Sequence, residues 1–139
     1  MSDHGFKIIG IEHVGIATND NSLSNFLLDV LGIEDVSIEE VKNQEVVTKI
    51  YNTGNGKLEL LKPTSDKSPI SKFLNAKGQS VHHIALCLDN LNNAIKYLKS
   101  IDIRLINDKP SIGAEGHSIV FIHPHESPGI LIELCQKNK

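Results

Sequence analysis

Apolar and polar residues alternate with period two in "IGIEHVGIATND" (Ile9–Asp20) and again in "SVHHIALCLDN" (Ser80–Asn90). Each stretch runs His, apolar, small, apolar, small, and closes on a polar turn with Asn and Asp, as a half-buried strand does. The period then changes to helical. Leu23, Phe26, Leu27, Val30 and Leu31 form one stripe, closed by Gly32. Leu91, Ala94, Ile95, Leu98 and Ile101 form another, with Asp89 or Asn90 as the N-cap. Three short strands are predicted after each helix. In the first half they are Val36–Val41, Val46–Asn52 and Lys57–Leu61, with "GNG" (Gly54–Gly56) as a hairpin turn. In the second they are Arg104–Asn107, Ser118–His123 and Ile130–Leu134, with "HPHESPG" as the corresponding turn.

The chain therefore says one thing twice: strand, helix, three strands. The halves span about 8–62 and 80–136, within one domain over 7–139. Between them (63–79) Ser68 and Pro69 look like the start of a short helix docked by Ile70, Phe73 and Leu74 and stopped by Gly78. Either half is too small for a comfortable core. The expected fold is α+β, two tandem βαβββ modules forming one cup-shaped mixed sheet.

Alternation decides which side chains enter the cup. His82, Ile84, Leu86 and Leu88 share the face that packs against the helix, and His83, Ala85 and Cys87 share the other. In the first half His13, Gly15 and Ala17 oppose Val14 and Ile16, so His13 corresponds to His83 and not to His82. The last strand of each half carries one carboxylate among aliphatics, Glu59 in "KLELL" and Glu133 in "GILIEL". A carboxylate in an apolar strand is costly unless paired or metal-bound. The histidines are 70 positions apart (83 − 13) and the glutamates 74 (133 − 59), a difference a longer hairpin turn absorbs. Two imidazoles and two carboxylates in one cup make a site for a divalent ion such as Co, Ni, Mn, Fe or Zn, with positions open for substrate. His82 reads as structural; His4, His117, His123 and His125 read as loop and turn residues.

Composition narrows the partners. A net charge of −3 and 4% aromatic residues argue against nucleic acid. No apolar run approaches a membrane helix, and "MSDHGFKIIG" has no leader pattern, so the expectation is a cytoplasmic protein. Cys87 and Cys135 are expected as free thiols.

At this point the sequence resembles the vicinal oxygen chelate superfamily, and within it the methylmalonyl-CoA epimerases. The resemblance runs from "IEHVGIATND" to "GILIEL" and is most specific in "KPSIGAEG" and in "IHP…GILIEL". It implies metal ligands at His13, Glu59, His83 and Glu133, cobalt as the favoured ion, a homodimer, and an acyl-CoA substrate. The implied activity interconverts (R)- and (S)-methylmalonyl-CoA by moving the α-proton through an enolate, with Glu133 as one proton-transferring group. Some bacterial relatives carry a second base, a glutamate, at a position that falls on Thr48 here, and a threonine hydroxyl cannot replace it. Glu45 and Lys49 are the nearby alternatives. The rival activities are lactoylglutathione lyase (glyoxalase I), with the same ligand types, and metal-free small-molecule binding.

Overall fold

The computed structural model describes residues 4–127 and 129–138. Residues 1–3, Pro128 of the expected second turn and Lys139 at the end of the expected domain lie outside the described residues. The chain divides into two compact units: His13–His82, and the chain up to Glu12 together with that from His83 onward. The boundaries cut two long strands, β1 (Ile8–Ala17) and β5 (Ser80–Leu88).

The unit His13–His82 holds a mixed ladder in the order β2 (Val36–Val41), β3 (Val46–Asn52), β4 (Lys57–Pro63), β1. β1 and β4 are parallel, with Gly15 opposite Glu59 and Ala17 opposite Leu61. The β3–β4 hairpin turns at Thr53–Gly56, where the Thr53 N–H donates to the Gly56 carbonyl at 3.0 Å. Gly54 sits there at φ 100°, a region closed to most side chains. On one face, Leu27 of helix α1 (Ser22–Asp29) packs with Tyr51 and Leu60. The expected α1 stripe is narrower than its sequence suggests: Phe26, Val30 and Leu31 are 48%, 65% and 57% exposed. The helix ends at Asp29, so Val30 and Leu31 fall in the turn, and Phe26 points about 100° away from Leu27. Helix α2 (Pro69–Lys77) starts as anticipated, with Ser68 Oγ accepting from the Ile70 N–H.

In the other unit the order is β5, β8 (Ile132–Gln136), β7 (Ser118–Ile122), β6 (Ser111–Ile112). Helix α3 (Leu91–Ser100) begins at Asn90, whose side chain caps the Asn93 N–H, and buries Leu91, Ala94 and Ile95 against Leu88, Val120 and Leu134. Each buried Leu, Ile or Val among them stabilises by roughly 1.5–3 kcal/mol. The strand expected over Arg104–Asn107 is absent; only Leu105 bridges Ile122 there. The Arg104 N–H donates to the Glu126 carboxylate at 2.9 Å instead of to a ladder, and Asp102 enters the segment at φ 62°. The edge strand forms later and is two residues long. No helix among the described residues is long and apolar enough to cross a membrane.

Candidate metal centre

Strand register sets up the site in each unit. β4 runs parallel to β1, so Glu59 stands opposite Gly15, two residues after His13 and on the same face. β8 runs parallel to β5, and Glu133 stands opposite Ala85, two residues after His83. The two halves repeat this placement residue for residue. Each pair closes: His13 Nδ1 lies 3.1 Å from Glu59 Oε2, and His83 Nε2 lies 3.4 Å from Glu133 Oε1. All four side chains are buried, between 3% and 5% exposed. Two ligands at right angles, each about 2.1 Å from an ion, stand about 3.0 Å apart, so both separations suit adjacent ligands of one divalent cation. Neutral imidazole with carboxylate is a donor set for Co, Ni, Mn, Fe or Zn.

Small or aromatic residues stand next to each pair. Gly15 and Ala17 flank His13 and Glu59. The Phe121 ring, opposite Glu133 in the β7–β8 ladder, meets the His83 imidazole edge-on, with centroids 5.7 Å apart at 86°. Such an edge contact fixes the imidazole plane.

His82 occupies the opposite face, edge-on to Phe73 of α2 at 4.9 Å. Burial lowers its pKa to about 4, so it is a neutral core histidine at neutral pH. His123 and His125 stack on one another at 5.2 Å in the turn after β7, and His4 stacks on Tyr97 at 3.9 Å.

The alternatives around Thr48 separate cleanly. The β3–β4 register is continuous from Val46–Pro63 to Asn52–Lys57, without a bulge. Thr48, opposite Leu61, therefore shares the face of Glu59 and is 1% exposed. Lys49 points to the helix side, its Nζ 3.4 Å from Ser24 Oγ of α1. Glu45 sits at φ 53° in the turn before β3 and accepts from Ser65 Oγ at 3.1 Å. Neither reaches the Glu59 face.

Two features escaped the sequence reading. Glu12, one residue before His13, is 5% exposed and lies 3.6 Å from Lys137 Nζ. Its place beside His13 corresponds to that of His82 beside His83 in the repeat, which is the signal that could have exposed it. Cys87 and Cys135 stand directly opposite one another in the β5–β8 ladder.

Known proteins resemble this chain in sequence and fold. Residues 12–121 match the family model of the glyoxalase/bleomycin resistance protein/dioxygenase superfamily. The mitochondrial methylmalonyl-CoA epimerase of Dictyostelium discoideum is 41% identical over 131 residues, covering 91% of this chain and 78% of that one. A crystal structure of methylmalonyl-CoA epimerase from Mycobacterium tuberculosis superposes with a TM-score of 0.89 at 28% identity, over 95% of this chain and 90% of that one. A methylmalonyl-CoA epimerase in complex with methylmalonyl-CoA and NH4+ gives 0.87 at 29% identity, over 94% and 96%. The chain belongs to the glyoxalase/bleomycin resistance protein/dioxygenase superfamily and carries its fold.

Proposed function

We propose that the protein is a metal-dependent methylmalonyl-CoA epimerase in which His13, Glu59, His83 and Glu133 hold one divalent ion. The observation that carries this reading is the likeness to epimerases over nearly the whole chain, joined to a His–Glu pair at the same ladder position in each half. A divalent ion supplies charge stabilisation for the thioester oxygen and a fixed orientation for the substrate carboxylate. The protein's own groups do the rest. Glu133 exchanges the α-proton on one face of the carbon, and inversion requires a second acid–base group on the opposite face. Phe121 keeps His83 in plane beside Glu133. Thr48 faces the Glu59 side without a carboxylate, so β3 supplies no second base through Thr48, Lys49 or Glu45. Cobalt is the favoured ion and a homodimer the favoured assembly, both on family resemblance.

The test is proton exchange. Cobalt-loaded protein in deuterated water should wash solvent deuterium into methylmalonyl-CoA and interconvert its epimers. Turnover of the methylglyoxal–glutathione adduct without such exchange would assign lactoylglutathione lyase instead, and neither activity in the metal-loaded protein would favour a binding role.

A further inference from the structure

The two halves correspond ladder position by ladder position, and the correspondence isolates one departure. Two residues past the Gly15–Glu59 rung lies Ala17 opposite Leu61, an ordinary apolar pair. Two residues past the Ala85–Glu133 rung lies Cys87 opposite Cys135. The repeat shows that this place needs no sulfur for packing. Both cysteines are free thiols, one half-buried and one buried. Alternation puts them on the face that carries His83 and Glu133.

From this placement we propose that Cys87 and Cys135 form a reversible redox site, closed to a disulfide by a peroxide, which loosens the neighbouring His83–Glu133 pair. Neighbouring strands hold directly opposed residues about 4.8 Å apart, inside the roughly 4.4–6.8 Å that a disulfide spans between α-carbons. The side chains must still draw together, because sulfur–sulfur bonding needs β-carbons about 3.8 Å apart. The resulting strain falls on β5 and β8, the strands that set the 3.4 Å His83–Glu133 contact. Strained disulfides of this kind are readily reduced again.

The order of events follows from exposure. Cys135 is fully buried and Cys87 only half-buried, so Cys87 meets the oxidant. The Cys87 sulfur attacks one peroxide oxygen; the O–O bond breaks, leaving a sulfenic acid and releasing one water. The Cys135 sulfur then attacks the Cys87 sulfur, and its proton leaves with the departing hydroxyl as a second water. Two thiols are oxidised and one peroxide is reduced.

The site is tested on metal-free, reduced full-length protein treated with hydrogen peroxide and followed by intact mass and thiol alkylation. The wild type should lose two hydrogens, stay a single chain, and recover both thiols with dithiothreitol. Cys135→Ser should instead gain oxygen at Cys87. Accumulation of oxygen on Cys87 in the wild type, without the internal disulfide, would overturn the redox site. The effect on the ion rests on the function proposed above, and a second measurement isolates it. Cobalt affinity of the oxidised wild type should fall roughly 10-fold, the scale seen when a ligand's supporting structure is disturbed, and return on reduction, while Cys87→Ser should bind cobalt identically before and after peroxide. A disulfide that leaves cobalt affinity unchanged would refute the coupling. Absence of cobalt binding in the reduced protein would refute the metal reading and leave the mass result standing.

Discussion

The half around His13 and Glu59 and the half around His83 and Glu133 are built to one plan, and they differ in what stands beside the shared pair. Opposite its glutamate the first has Ile50 and the second Phe121. Two rungs on, the first has Ala17 and Leu61 where the second has two thiols. On β3 the first has Thr48, and the matching position of β7 is Ile119, opposite Cys135 as Thr48 is opposite Leu61. Duplication accounts for the two His–Glu pairs. The differences between the copies leave Glu59 and Glu133 in unlike surroundings.

The largest expected effect breaks that comparison at its carboxylates. Glu133→Gln should abolish deuterium exchange by a factor of about 10²–10⁴, the contribution of a positioned acid–base group, whereas Glu59→Gln should keep measurable exchange once loaded with metal. Equal losses would make the two halves catalytically alike. Next in size is the neighbouring pair of histidines. His83→Ala should weaken cobalt binding by more than about 100-fold, beyond the cost of losing a mere supporting group, while His82→Ala should leave cobalt affinity nearly intact. The reverse ranking, read by calorimetry, would place β5 one residue out of register.

His82 sharpens the contrast in another measurement. Its folded pKa of about 4 lies below the unfolded value of 6.5, so the unfolded chain binds the proton more readily. Its neutral burial supports the fold fully above pH 6.5, and that support is lost as pH falls from 6.5 toward 4, by on the order of 3 kcal/mol. Denaturant unfolding between pH 7 and pH 4 should show this decline in the wild type and a shallower one in His82→Leu. An unchanged slope would mean that other groups govern the acid response. The smallest effect concerns the helix starts. Asn90→Ala should cost α3 about 1 kcal/mol by removing its cap. Asn21→Ala should cost α1 almost nothing, because Asn21 makes no side-chain cap bond.

Much of this was legible in the sequence because strand alternation is a rigid rule. Once two similar strands were recognised, His13 and His83 had to share an orientation, and Glu59 and Glu133 followed from the same periodicity. The start of α2 was equally readable from Ser68 and Pro69. What the sequence concealed depended on partners far along the chain. Arg104–Asn107 looks like a strand until Glu126 takes the Arg104 N–H. The α1 stripe looks broad until Gly32, at φ 69°, ends the turn and leaves Val30 and Leu31 outside. The facing of Cys87 and Cys135 needed the β5–β8 register, which no local pattern encodes.

The proposed sharing of one ion by the two His–Glu pairs is tested most directly by a calorimetric titration of metal-free protein with cobalt. One ion should bind per chain, and His13→Ala and His83→Ala should each abolish that tight binding. Two independent ions per chain, or wild-type affinity surviving in either variant, would contradict it.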